Sequence, residues 1–327
     1  MRPRPAAGWG GMALVLLLAI YPLVVPGFWT IQIGAQSLIL GIIALSLLLL
    51  GGYGGMISLA QLSVAGVAGY VAAYFGVQSH AAMGLPLPWG ATVLLALLAG
   101  SAFGLFVGLV AVRSDGIYMI MITLAIAVGL FYLARQNMGF FNAYDGYHGV
   151  RAPVVLGTSL RSTLPFYYLC LGVAAASYLF ILHLRRTPFG LALQGVRDSP
   201  RRMRTLGYDI AQHRIAAFAL AGVIAAVGGV LKVWYDGSIS PGSIGIGPAI
   251  GILIAVILGG LAHPAGAFIG ALLYVLIQSF AIDFIDRERF NTLIGLVLLA
   301  IVLFMPRGVV GAVETIGTRT GTGEGSS

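Results

Sequence analysis

Charged residues are scarce in this chain. Only 9% of its 327 residues are charged and 59% are hydrophobic, whereas a soluble domain has roughly 25% charged residues. No soluble core buries that much apolar surface, so the composition excludes an ordinary soluble domain. The apolar runs are long and do not alternate, and they predict an all-α polytopic membrane protein.

Lysine and cysteine each occur once, as Lys232 and Cys170. A phosphate-binding loop ends in Gly-Lys-Ser/Thr, but Val233 follows Lys232, so the chain is not its own ATPase of that kind. A single cysteine forms neither an internal disulfide nor a thiolate metal cluster. The sequence also has no HExxH, no paired His/Cys metal spacing and no GxSxG elbow. We therefore predict no metal, no bound cofactor and no catalytic site.

Acidic residues are missing from the middle of the apolar runs, since all ten lie towards run ends or in loops. A charge at the bilayer centre costs roughly 2.5–3.5 kcal/mol on insertion scales, yet proton-coupled carriers keep one there. The pattern argues against a proton-driven carrier. A sodium-coupled carrier that uses backbone carbonyls stays open.

The apolar runs predict about ten transmembrane or re-entrant helices. The third is polar and Gly-rich, and we expect it to be broken or re-entrant. The first follows a basic start, but no small-x-small cleavage motif comes after it, so we expect a retained span. We expect one membrane domain over 1–311 and a flexible cytoplasmic tail over 312–327. The runs are 12–26, 31–50, 56–76, 88–112, 117–134, 164–184, 215–236, 244–260, 265–285 and 290–306.

Basic residues set the orientation. Seven of the 18 lie in the segment 185–214, between the sixth and seventh runs, and arginine-rich loops stay in the cytoplasm. This placement puts 12 basic residues inside and five outside, with Lys232 in a span, and makes both termini cytoplasmic. The net charge of +8 thus has a topological explanation, and we expect no nucleic-acid partner.

The segment 185–214 carries its own helix signals. Thr187-Pro188 is typical of an N-cap followed by proline at the first helical position, and Ser199-Pro200 repeats it. Gly207 stands where a left-handed C-terminal cap belongs, and Asp209 is able to start the next span. We predict two short amphipathic helices that form a docking surface. The alternative is a basic loop that rests on anionic lipid head groups.

Four sequence blocks carry a family resemblance. They are GYGGMISLAQLSVAGVAGYVAA at 52–73, RSDGIYMIMITLAIA at 113–127, the loop block that starts PFGLALQGVRDSPRRMRTLGYD at 188, and ISPGSIGIGPAIGILIAVILGGLAHPAGAFIGALL at 239–273. In this order and spacing they resemble the permease subunits of bacterial ABC importers, and the branched-chain amino acid permeases in particular. The resemblance covers nearly all of 31–311.

The resemblance implies a subunit of the bacterial plasma (inner) membrane that works with several partners. These are a second homologous permease, two cytoplasmic subunits that bind ATP, a periplasmic or lipid-anchored substrate-binding protein, and membrane lipid. It also implies that the 187–209 loop couples to the ATPases. The residues that we assign to this coupling are Pro188, Gly190, Arg197, Asp198, Arg201, Arg202, Leu206 and Gly207.

A translocation path between the two permeases is implied as well. We place Ser58 and Gln61 on it first, because they lie in the Gly-rich, broken segment. Each candidate is alternatively a side chain that bonds back to its own helix. The candidates are Gln36, Ser46, Ser58, Gln61, Ser63 and Thr123.

The chain departs from the family where a substrate or a binding protein would make contact. Ala60-Gln61 replace a frequent histidine, Ser63-Val64 replace an aromatic pair, and 142–144 replace the start of a Thr-Gly-Gly run. These changes leave the substrate open among branched-chain or other amino acids, urea, short amides and small organic or aromatic acids. Lys232 either attracts an anionic substrate or pairs with Asp236. The alternative function is an ATP-independent secondary transporter or channel.

Overall fold

The computed structural model describes residues 18–76, 87–150, 152–155, 158–159, 162–284, 308, 309 and 311, and this part of the chain is mostly helical. Four two-residue strands form two antiparallel pairs: β1 (Tyr147–His148) with β4 (Ser238–Ile239), and β2 (Val154–Val155) with β3 (Thr158–Ser159). The helices are α1 (18–24), α2 (Trp29–Tyr53), α3 (Gln61–Phe75), α4 (Trp89–Ala111), α5 (Ile117–Gln136), α6 (Thr163–Leu184), α7 (Pro188–Asp198), α8 (Pro200–Thr205), α9 (Ile210–Asp236), α10 (Ile246–Gly259) and α11 (Ala265–Phe284).

Six helical segments of the described chain are long and apolar enough to cross a membrane. They are α2, α4, α5, α6, α9 and the stretch Pro241–Gly259, which joins a 3-10 turn to α10. α3 and part of α11 are shorter apolar helices. The mostly helical, polytopic membrane architecture is thus confirmed, whereas the count of ten spans stays a prediction. The predicted run 290–306 and the tail 312–327 lie outside the described residues, as does the start of the first run.

The connections between helices gather at two ends of the bundle. The loop end holds the turns at 52–60, 112–116, 185–209 and 260–264, which touch one another through Arg197 on Gly52 and Arg214 on Asp115. The hairpin end holds 137–150 and 237–245, joined by β1 and β4. Among the arginines of the described residues, Arg135 alone lies at the hairpin end. This asymmetry is the one that the positive-inside rule describes.

Small residues allow α9 to occupy the centre of the bundle. Gly100 and Gly104 of α4 lie directly against Ala226 and Gly222 of α9, and a Cβ on Gly104 would lie only 2.9 Å from the Cα of Gly222. Such contacts let helix backbones approach closely in lipid. α9 also packs against α2 and α3, so the start of α9 in the arginine-rich loop is joined rigidly to the core.

Two helices begin elsewhere than predicted. α9 starts at Ile210, not at 215, because the Asp209 carboxylate accepts a hydrogen bond from the backbone N–H of Gln212 at 3.1 Å and so caps a polar first turn. α3 starts at Gln61, not at 56, because residues 55–60 are not helical. Gly55 has a φ of +66°, which glycine adopts at no steric cost. The helix break thus lies at 55–60, at the start of the Gly-rich run that the sequence predicts to be broken, and α3 itself is continuous.

Candidate coupling site and transport path

The arginine-rich loop folds into the two helices α7 and α8. Thr187 caps α7, since its Oγ1 accepts a hydrogen bond from the N–H of Gly190 at 3.3 Å and donates one to the carbonyl of Leu184 at 2.7 Å. Pro188 is exposed at the first position of α7. The cap therefore ties the start of α7 to the last turn of α6.

α8 ends in a Schellman motif built on Gly207. The Gly207 N–H donates to the carbonyl of Arg204 and the Tyr208 N–H to that of Met203, both at 3.1 Å. Gly207 has a φ of +87°, as this motif requires of the residue that follows the helix. Ser199, in contrast, makes no side-chain capping bond to α8, so the predicted start signal works at Thr187 only.

α7 turns an apolar face into the permease. Leu193 and Val196 are fully buried. Gly190 is buried too, and a Cβ there would lie 2.0 Å from the carbonyl oxygen of Leu184. Leu193 reaches Gly54, directly ahead of the break before α3. α7 is therefore packed as part of the membrane domain.

α8 is different, because none of its residues is buried. Arg201 and Arg202 are exposed, and Leu206 is 71% exposed. Met203 alone leans back, with its sulfur against Gly195 of α7. Arg201, Arg202 and Leu206 thus form an exposed basic surface that includes one large apolar side chain.

The assigned residues Arg197 and Asp198 lie where α7 meets this exposed surface. Arg197 Nε donates to Asp198 Oδ1 at 2.8 Å, and an Nη1 proton goes to the backbone carbonyl of Gly52. The Asp198 side chain is 65% exposed. The sequence places Arg197 with Arg201 and Arg202. In the structure the Arg197 side chain is 41% exposed, but its guanidinium also reaches back to the carbonyl of Gly52.

Four of the six path candidates meet around the break. Thr123 Oγ1 accepts from the N–H of Leu59 at 3.2 Å and donates to the carbonyl of Ile120 at 3.0 Å. Ser46 Oγ lies 2.6 Å from the carbonyl of Ile43 and 3.2 Å from Gln61 Oε1. Ser58 Oγ accepts from the N–H of Ala60 at 3.3 Å. Ser46 and Thr123 thus also bond back to their own helices, the alternative that membrane hydroxyls often adopt.

In this cluster, the side-chain amide of Gln61 has a polar group without a hydrogen-bond partner among the described residues. It is 1% exposed, and its Nε2 has no partner in the described structure. Turning the amide over lets Nε2 donate to Ser46 Oγ but leaves Oε1 unpaired, so one half of the amide is unsatisfied in either orientation. A buried unpaired polar group costs about 1–3 kcal/mol. It is therefore a group that a polar molecule would stabilise.

Ser63 and Gln36 stand apart from the cluster. Ser63 is buried in α3, and its hydroxyl has no hydrogen-bond partner among the described residues. Gln36 lies ten residues before Ser46 on α2, which is about 15 Å along a helix, and its buried Oε1 is also unpaired in the described structure. The structure thus joins Ser46, Ser58, Gln61 and Thr123 and leaves these two along the same helices.

Polar contacts also connect residues at the hairpin end. Lys232 Nζ pairs with Asp236 Oδ2 at 2.9 Å, as one of its two predicted roles requires. Asn142 and Ala143 both have positive φ, and the Asn142 side chain donates to the carbonyl of Gly146 at 2.7 Å. Burial raises the pKa of the Tyr147 phenol, with nearby Tyr74 adding to the shift, so this hydroxyl stays protonated.

One contact of the loop end had no signal in the sequence. Arg214, at the start of α9, forms an ion pair with Asp115 just ahead of α5. The arginine side chain is 13% exposed and the aspartate 81% exposed. The pair joins the arginine-rich loop to the helix that carries Thr123, and no local pattern links two residues so far apart in the chain.

A bundle of apolar spans with a folded basic loop at one end is the architecture of a polytopic membrane protein. The chain belongs to the family described as the branched-chain amino acid transport system permease component, whose model matches residues 30–303. It is a permease subunit of an ABC importer of the branched-chain or sugar type, and not itself an enzyme. Membership implies ATPase and substrate-binding partners.

Curated relatives cover most of the chain. It is 29% identical over 301 residues to the autoinducer 2 import system permease protein LsrC of Escherichia coli K12, covering 88% of this chain and 85% of the relative. It is 23% identical over 322 residues to the high-affinity branched-chain amino acid transport system permease protein LivM of Escherichia coli K12, covering 91% and 74%. No solved structure matches the chain.

Proposed function

We propose that this chain is the permease of an ATP-driven importer of branched-chain amino acids or a related small polar solute. In this proposal the loop end faces the cytoplasm and the 187–209 loop docks on an ATPase subunit. The carrying observation is the contrast within the loop: α8 exposes its basic side chains, while α7 beneath it is packed into the membrane domain. Force applied to α8 therefore reaches the spans through α7.

The translocation path in this proposal runs beside the break at 55–60. The unsatisfied amide of Gln61 and the hydroxyl of Ser63 supply polar groups at that point. A second, homologous permease forms the other wall. Ser58, Gln61, Ser63, Gln36 and Thr123 are the residues that we assign to the path.

The proposed substrate is a small polar solute, since the relatives named above import amino acids and autoinducer 2 according to their names. A substrate-binding protein delivers it to the hairpin end. Uncharged amide chemistry at Gln61 suits a solute that presents both donors and acceptors. Branched-chain amino acids are our first choice because the family description names them.

The first experiment compares two glycines that follow helices in the left-handed conformation. Gly207→Arg alters the loop end and Gly237→Arg the hairpin end, where φ is +87° and +66° respectively. Tagged complexes carrying each variant are purified with the products of neighbouring genes, and ATP hydrolysis and transport are measured in nanodiscs. We expect Gly237→Arg to retain the ATPases as the wild type does, and Gly207→Arg to lose them or to hydrolyse ATP without transport.

The opposite outcome is equally clear. If the wild-type chain purifies alone and transports its substrate without ATP, the ATP-independent transporter or channel is the correct function. In that case the arginines of the loop serve only to orient the protein in the membrane.

A further inference from the structure

We propose that Arg197, although its side chain is 41% exposed, is a positioning residue of the permease and not a contact to the ATPase. Its guanidinium holds the carbonyl of Gly52 and so passes movement of α7 to the helix break that leads to Gln61. This inference rests on the proposed function, because it concerns how the docked loop acts on the path.

The contact between Arg197 and Gly52 joins two elements that are remote in sequence. Gly52 lies in the last turn of α2, whose final residues form a π-helical segment, Leu49–Tyr53. Carbonyls in the last turn of a helix lack intrahelical partners, and a cation there is favoured by the helix dipole. The arginine thus satisfies the end of α2 while its Nε remains bonded to Asp198.

The same face of α7 also fills the space beside the break. A Cβ on Gly55 would lie 2.7 Å from Arg197 Cγ, and one on Gly54 would lie 3.5 Å from Leu193 Cδ1. A side chain at Gly55 would therefore displace Arg197 of α7, whereas Gly54 is in ordinary van der Waals distance of Leu193. A shift of α7 therefore displaces the residues of the break.

The other end of the break is held by a different helix. The N–H of Leu59 donates to Thr123 Oγ1 of α5, and α5 is tied at its start to α9 by the Asp115–Arg214 pair. The segment 52–59, which contains most of the break, is thus held at Gly52 by α7 and at Leu59 by α5. Relative movement of these two helices has to be absorbed between the two contacts, directly before Gln61.

Arg201 and Arg202 offer the contrast that isolates this role. Both are exposed on α8 and have no side-chain hydrogen bond or ion pair with any described residue. All three arginines are exposed, but only the Arg197 guanidinium is already bonded within the chain, to Asp198 and to Gly52. Removing Arg197 should therefore weaken transmission and leave docking intact.

The test uses the complete complex in nanodiscs and two readouts: the ATPase retained on purification, and the substrate transported per ATP hydrolysed. Arg197→Met is compared with Arg186→Met, which removes an exposed arginine of the same loop. We expect Arg197→Met to keep its ATPases and to transport about tenfold less substrate per ATP. Arg197→Lys, which keeps a charged donor, should restore most of the ratio, and Arg186→Met should match the wild type.

Each contrary result has a distinct meaning. If Arg197→Met loses the ATPases, Arg197 is a docking contact. If the substrate transported per ATP is unchanged, its bond to Gly52 does not contribute to transport. Either result overturns the inference. Should Arg197→Met not assemble, Gly55→Ala disturbs the same contact from the break, and it too must keep the ATPases and lower the ratio. A wild-type chain without ATPases refutes the proposed function instead.

Discussion

The two helices of the arginine-rich loop begin alike and end in different surroundings. Each starts with a hydroxyl residue followed by proline, Thr187-Pro188 for α7 and Ser199-Pro200 for α8. α7 buries one face among the spans, whereas α8 buries nothing. Both helices carry arginine, so charge does not distinguish them. They differ in whether their side chains are buried.

This difference follows from the spacing of small and apolar residues. Gly190, Leu193 and Val196 recur every three residues and form one stripe along α7, which is how a helix presents a face to a core. α8 has only six residues, with Met203 as its one apolar side chain. The lesson is that a coupling loop combines an anchored helix with an exposed one.

The largest expected effect comes from removing a buried side chain that packs α7 against the spans. Leu193→Ala deletes a fully buried side chain of α7, and Leu191→Ala deletes one that is 59% exposed on the same helix. We expect the first to lower the free energy of unfolding by about 2–5 kcal/mol, since it leaves a cavity, and the second by about 0.5 kcal/mol or less. Denaturant titration of the purified protein in mixed micelles measures both. Equal losses would show that α7 is not packed against the break.

A second test compares the glycines at the two ends of the loop. Gly190→Ala places a Cβ 2.0 Å from the carbonyl oxygen of Leu184, and we expect a loss of about 3 kcal/mol from overpacking against backbone. Gly207→Ala meets no atom within 4 Å but forces alanine to a φ of +87°, a cost of about 1 kcal/mol. The same titration checks the order, and a larger loss at Gly207 would contradict it.

Local chemistry in the sequence predicts much of this fold. The apolar runs place the spans, and the cap signals at Thr187, Gly207 and Asp209 correspond to capping bonds or backbone conformations in the structure. The Gly-rich run predicts the break, because glycine at 54 and 55 leaves the backbone unsupported by side chains. These features depend on neighbours in sequence, which a single chain displays directly.

The candidate site is harder to predict from the sequence, because it depends on contacts between residues that are far apart in the chain. Arg197 and Arg201 look alike in the sequence, and only the position of the Gly52 carbonyl separates their surroundings. The pairing of Asp115 with Arg214 is equally invisible, since nothing in either local pattern specifies the other. Ser199 shows the converse: its sequence is that of a cap, but the backbone before α8 does not bring its hydroxyl to an N–H of that helix.

The smallest test uses the two hydroxyl residues that start the helices. Thr187→Ala removes the bond that Oγ1 accepts from Gly190 and the one that it donates to Leu184, so we expect a loss of about 1 kcal/mol in the free energy of unfolding. Ser199→Ala removes a side chain that makes no capping bond, and its expected effect is within about 0.5 kcal/mol. Thermal or denaturant unfolding of both variants in the same micelles decides the matter. If Ser199→Ala lost as much as Thr187→Ala, α8 would be anchored like α7, and the division of the loop into a packed helix and an exposed helix would fail.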